Sequence, residues 1–269
     1  MSEEPKINAL VNLQTKVVDK TYNDLLSKPS KKAGNALATI VNVGNTMLWP
    51  IKWVNERTRI YFENNLKKYE QKLENISEEK ITEVPTEISM PILERFVYTS
   101  NEELSNAFVN LLASASSTDT INTAHPGFIQ LIDRISPDEA ILLKHFKSNP
   151  AVPALSIRHH NNPKEKEQYI FVLKDKTGLD VKVPDIRFPE NLNIYLNNLE
   201  SLGLIHYSDY YYIELDKEFE LIEKQYSKLL KDQFNEYELK DLNRVKREDK
   251  GMYELTDFGK LFISACIKE

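Results

Sequence analysis

The chain has 269 residues, of which 41% are hydrophobic and 28% charged, with a net charge of −6 and one cysteine. That composition fits a soluble globular protein of one large or two modest domains, and excludes a disordered, collagen-like or disulfide-stapled chain. The lone cysteine and the start Met1-Ser2-Glu3-Glu4-Pro5, without the basic and apolar regions of a secretory signal, predict a cytoplasmic location.

Residues 5–28 carry Ile7, Leu10, Val11, Val17, Val18, Leu25 and Leu26, which predicts a leading helix ended by Pro29. Ala33 to Ile51 has no charge. At helical spacing, Ala36, Leu37, Ile40, Val41, Met47 and Leu48 share one face, while Asn35, Thr39, Asn42 and Asn45 share the other. Trp49 and Trp53 fall on the polar side, with Lys31 and Lys32 before the segment and Lys52, Arg57 and Arg59 after it. Three readings stay open. It is a core helix covered by a neighbour; an interfacial helix using those seven side chains as membrane or partner contacts; or, against its polarity, a membrane span.

Phe62, Leu66, Tyr69, Leu73 and Ile76 form a seam over about two heptads, so 51–76 reads as one helix packed on a neighbour or on a second copy. After an extended link at 81–85, a helix starts near Pro91. Ser100 and Glu103 have capping-box spacing before the stripe Leu104, Ala107, Phe108, Leu111, Leu112 and Ala115. A short helix follows His125-Pro126, and there His125 reads as a capping or packing residue.

Ser136-Pro137-Asp138-Glu139 is a strong helix start. Pro150, Pro153 and Pro163 predict a loop, and Tyr169–Leu173 a strand. The helix holding Leu192, Tyr195, Leu196 and Leu199 should stop at Gly203 in the left-handed conformation, closed by Leu204. Residues 205–215 read as one or two strands. Residues 216–250, with 19 charged positions of 35, read as a solvated helical insertion. Met252–Leu255 reads as a short strand, then Thr256 caps a helix with Phe258, Leu261, Phe262, Ala265 and Cys266 on one stripe.

The expected fold class is therefore mainly α. A leading helix and linker (1–32) precede an all-α helical bundle (33–135), then a smaller α+β domain (136–269). The order around Leu202-Gly203-Leu204-Ile205 and "YELTDFG" resembles a winged-helix domain, a superfold that does not fix function. The helix that would enter a DNA groove, Glu190 to Glu200, has two acids and no basic residue. Nothing on it would neutralise phosphate, which argues against nucleic acid as a partner. Net charge is +3 over 1–80, −5 over 81–150 and −4 over 151–269, so only the first segment leans basic.

Catalytic chemistry leaves little trace. The seven glycines form neither a dinucleotide fingerprint nor a Walker-type loop. His159 and His160 are adjacent, and no H-x-x-x-H or H-E-x-x-H spacing occurs. Cys266 on the apolar stripe reads as an inert buried thiol, and there is no G-x-S-x-G elbow. The expectation is a non-enzyme with no cofactor and no metal.

Three blocks resemble the abortive infection alpha (Abi-alpha) family: "AGNALATIVNVGNTMLWPIKWVNER", "ISEEKITEVPTEISMPILERFVYTSNEELSNAFVNLLASASS" and "HPGFIQLIDRISPDEAILLKHF". Residues 30–150 carry most of the likeness, and the C-terminal part follows more loosely. The resemblance implies a bacterial cytoplasmic protein of phage defence, in which an infected cell stops growth or dies before phage matures. It brings no established catalytic residues. The function expected is defence through protein contacts with an unidentified partner, a phage component or a second copy, or through peripheral contact with the inner membrane. The alternative is a winged-helix DNA-binding transcriptional regulator.

Overall fold

The computed structural model describes residues 56–160, 169–238 and 245–268. The leading helix and the uncharged segment 33–51 lie outside them. The described chain is mainly helical with a small four-stranded antiparallel sheet. It forms two compact units, one holding residues up to Arg134 together with the C-terminal 264–268, the other 135–263.

In the first unit, α1 (Glu56–Glu74) buries Leu66, Tyr69 and Leu73 against α2 (Thr86–Phe96) and α3 (Glu102–Ala115). The seam seen in the sequence is thus filled by the chain's own helices. Two local expectations shift. The second helix starts at Thr86 rather than near Pro91, because Ile88 and Ser89 donate to the Pro85 carbonyl and build its first turn. Pro91 lies inside that helix and forgoes the bond to the Glu87 carbonyl. The cap of α3 is Asn101 rather than Ser100, its side chain accepting from the Leu104 amide at 3.2 Å.

Residues Ala107–Ala115 of α3 are all buried, making it the central helix of this unit. Its buried polar groups have specific work. Asn110 donates to the Cys266 carbonyl at 2.9 Å and Ser114 to the Ala265 carbonyl at 3.0 Å. They satisfy carbonyls that a helix end leaves without intrahelical partners. The Tyr69 hydroxyl donates to Ser116 Oγ at 2.7 Å, since Ser116 itself donates to the Leu112 carbonyl. The short α4 (Gly127–Arg134) is capped by His125, whose Nδ1 accepts from the Gly127 amide at 3.0 Å.

The second unit opens with α5 (Pro137–Ser148), whose capping box between Ser136 and Glu139 is present as expected. Next comes a strand, β1 (Ala151–His160), where the prolines predict a loop. Pro153 is tolerated because only β4 runs alongside it, the pairing with β2 starting at Leu155. The remaining elements are β2 (Tyr169–Lys176), α6 (Leu179–Lys182), α7 (Leu192–Ser201), β3 (Ile205–Ser208), α8 (Asp216–Glu238), β4 (Val245–Leu255) and α9 (Asp257–Cys266). The sheet order is β2-β1-β4-β3.

Four readings need correction here. β3 ends at Ser208, and Ile213–Leu215 forms one turn of 3-10 helix, not a second strand. The last strand is eleven residues long because it pairs along the whole of β1. The charged insertion is not merely solvated: Phe219, Ile222 and Leu230 of α8 pack with Leu155, Ile157, Leu173, Leu215 and Met252 into one core. On α9, Phe258 is exposed and Ile263 takes its place in the buried stripe.

The α7 end matches expectation. Gly203 has φ +71, its amide donates to the Glu200 carbonyl, and Leu204 donates to the Leu199 carbonyl, a Schellman closure with Leu204 fully buried. Thr256 then ties the end of α7 to the start of α9. Its hydroxyl donates to the Gly203 carbonyl at 2.6 Å and accepts from the Gly259 amide at 2.8 Å.

Candidate functional site

The first unit carries a polar groove of about 490 Å³ between α1 and the turn that leads into α3. Tyr61, Asn64, Lys68 and Gln71 recur every third or fourth residue, so they stand on one face of α1 and form one wall with Lys67. Thr99, Ser100, Glu102 and Ser105 form the other. The floor is rigid. Asn65, 3% exposed, donates to the Phe96 carbonyl at 3.0 Å and the Thr99 carbonyl at 3.4 Å, and its Oδ1 accepts from the Ser105 hydroxyl.

The cations of the groove are placed unusually. Lys68 Nζ lies 2.9 Å from Asn106 Oδ1, a neutral acceptor. No carboxylate among the described residues is ion-paired with Lys67 or Lys68. The helix is capped at Asn101, and Ser100, which does not cap it, lines the groove.

Of the contact residues expected from sequence, Lys31, Lys32, Trp49, Lys52 and Trp53 lie outside the described residues. Arg57 and Arg59 sit in the first turn of α1, both exposed, and Arg59 pairs with Glu63 one turn on at 3.1 Å. Sequence reasoning missed the groove, because Asn64, Lys67, Lys68 and Gln71 look like an ordinary solvated helix face.

The acidic pair Asp138 and Glu139 proves to be a structural hub. Asp138, 4% exposed, accepts from the Arg187 and Phe188 amides, each at 3.0 Å, and from the Tyr195 hydroxyl at 2.9 Å. Glu139 accepts from the Ser136 amide at 2.5 Å and from Asn198 Nδ2 at 2.7 Å. Burial, with the Asp138 carboxylate beside it, holds the Tyr195 phenol above its ordinary range. Three of the pair's four oxygens hold α5 to the 187–198 segment, and the fourth, Glu139 Oε2, closes the capping box on Ser136. His159 and His160, which sequence placed on a proline-rich loop, are buried in β1. Among the described residues no three His, Cys, Asp or Glu side chains converge as metal ligands.

The model of the abortive infection alpha family matches residues 61–266. The chain belongs to the abortive infection alpha family. The Abi-alpha match begins at Tyr61, the first residue of the groove, and runs through the second unit to Cys266. It therefore starts later and reaches further than the likeness over 30–150 suggests. The Ala33–Arg57 block lies outside it, as do all seven expected contact residues. No curated protein matches the chain. A solved structure of an uncharacterized protein from the hydrocarbon-degrading marine bacterium Alcanivorax borkumensis SK2 is 17% identical, covering 57% of this chain and 99% of that chain, with a TM-score of 0.33. A likeness that low carries no structural argument.

Proposed function

We propose that this Abi-alpha protein is a non-enzymatic effector or adaptor of bacterial phage defence, acting through protein contacts and through a membrane-surface or partner contact at Lys31, Lys32, Trp49, Lys52, Trp53, Arg57 and Arg59. The observation that carries the defence reading is the family match over residues 61–266. The non-enzymatic part is supported by the fate of the buried acids, which hold backbone and side-chain donors rather than facing a reactive cleft. The contact reading draws on the uncharged segment flanked by cations and indoles. Among the described residues no helix is long and apolar enough to cross a membrane. The second unit serves, in this reading, as a winged-helix-like scaffold for protein contact rather than a DNA reader, because α7 carries no basic side chain.

The test is infection of cells with and without the gene at low and high phage multiplicity. Protection at low multiplicity with culture collapse at high multiplicity is expected. Survival of gene-bearing cultures at high multiplicity, each infected cell recovering, would refute abortive infection. Flotation with anionic vesicles tests the contact segment: reversing Lys31, Lys32 and Lys52 to Glu should abolish flotation at low salt.

A further inference from the structure

We propose that the polar groove on α1 is a binding site for a phosphate ester, held chiefly by Lys68 with Lys67 and the Ser100 hydroxyl. The inference stands apart from the defence reading and from the Lys31–Arg59 contact segment, since it rests on the geometry of residues 61–105.

Three features of the groove converge. The first is charge. Two lysines, Lys67 and Lys68, and one acid, Glu102, line the groove, and neither lysine is ion-paired with a carboxylate among the described residues. An ammonium has three protons to donate, and Lys68 is shown using one of them, on the neutral Asn106 amide oxygen at 2.9 Å. That contact fixes its position without neutralising it. The second feature is donor supply. Tyr61, Asn64, Gln71, Thr99 and Ser100 add hydroxyl and amide donors around the two ammonium groups. A phosphate ester presents several strong acceptor oxygens, so it suits such a lining better than an apolar or cationic ligand does.

The third feature is preorganisation. Asn65 and Ser105 are buried and bonded to each other, and Asn65 also donates to the Phe96 and Thr99 carbonyls, so the floor does not need to be ordered on binding. The α3 N-terminus behind Ser100 adds a favourable but secondary field, since Asn101 already caps it and Glu102 and Glu103 occupy its first turn. The shared chemistry is a phosphoryl group on a small alcohol, and two sources supply it: a soluble phosphate ester or the headgroup of a phospholipid.

The experiment uses the full chain, with titrations of inorganic phosphate and glycerol 3-phosphate followed by amide chemical shifts. Flotation with vesicles of phosphatidylcholine alone, or mixed with phosphatidic acid, runs alongside. Saturable shifts at residues 99–105, with affinity on the order of millimolar for the small probes, are expected. Lys68→Met should weaken binding about tenfold, as losing one charge-assisted hydrogen bond does. Lys67→Met should weaken it less, Lys68→Arg should retain most of it, and Lys147→Met in the other unit should change nothing. If phosphatidic acid flotation also falls with Lys68→Met, the ligand is a lipid headgroup. If only the soluble esters depend on Lys68, it is a free phosphate ester. Absence of saturable shifts at 99–105 overturns the proposal, and so does equal affinity in wild type, Lys68→Met and Lys67→Met. Because Lys67 is exposed and makes no bond shown to hold the fold, its variant keeps the proposal testable should Lys68→Met fold poorly.

Discussion

Removing the Asp138 carboxylate should open the second unit from inside. Asp138→Ala strips the acceptor from the Arg187 and Phe188 amides and from the Tyr195 hydroxyl at once. Tyr195 is 8% exposed, so its hydroxyl would be left largely without water. A hydrogen bond to a charged group contributes about 1.5–3 kcal/mol, and an amide that water can reach about 1 kcal/mol or less. Arg187 and Phe188 are exposed residues, so their amides belong to the second class. The three losses together come to about 2–5 kcal/mol. Asp138→Asn keeps one acceptor oxygen but turns an NH2 toward a donor, so about 1–2 kcal/mol is expected. Urea denaturation followed by far-UV circular dichroism gives the order wild type, Asn, Ala in midpoint. Hydrogen exchange at the Arg187 and Phe188 amides localises the loss to this unit. An Asp138→Ala protein as stable as wild type, with both amides still protected, would refute the claim that this carboxylate anchors the 187–195 segment.

Other expectations follow from single contacts. A Cβ at Gly259 would lie 1.9 Å from the Leu204 carbonyl oxygen, so Gly259→Ala must push α9 away from the backbone it crosses. The gain in helix propensity of about 1 kcal/mol is outweighed, and a net loss of about 2 kcal/mol or more is expected in thermal unfolding. Burial, with Asp180 nearby, pushes the Tyr226 phenol up to about 12. Its folded pKa exceeds the unfolded value near 10, so its contribution is full below pH ~10 and fades as pH rises through 12. Titration of tyrosinate absorbance against a Tyr226→Phe protein checks the assignment. Burial also pushes the Cys266 thiol well above its ordinary value, so a thiol reagent should leave the native protein unlabelled at neutral pH and label it after denaturation.

What was legible in the sequence was local. The Ser136 capping box, the Gly203 stop and the Thr256 cap are decided within a few residues, and each is found where the spacing puts it. The strand 151–160 was hidden because it is paired on both sides and mostly buried, so it has no polar and apolar alternation, and two prolines point the other way. The apolar stripe of α8 is visible as Phe219, Ile222, Tyr226 and Leu229, but its dense charge suggests solvent on all sides, and the helix buries Leu230 while Leu229 stays exposed. Asp138 reads as a helix-start acid, and nothing near it tells that its partners lie some fifty residues on. The groove is the same problem in another form: its two walls are 30 to 40 residues apart, and each alone is an ordinary polar surface.

This division bears on how function should be sought by mutation. Asp138, Glu139, Asn110 and Ser114 are buried and bonded to distant backbone or side chains, so replacing them lowers stability before it touches any activity. A defence phenotype lost on Asp138→Ala would therefore report abundance, not mechanism. Arg57, Lys67 and Ser100 are exposed, and replacing a surface side chain usually changes stability by no more than about 0.5 kcal/mol. Loss of defence at those positions, with the unfolding midpoint unchanged, would mark a contact the molecule makes with something else. Loss at Lys67 and Ser100 but not Arg57 would place that contact in the groove, and the reverse would place it on the N-terminal segment.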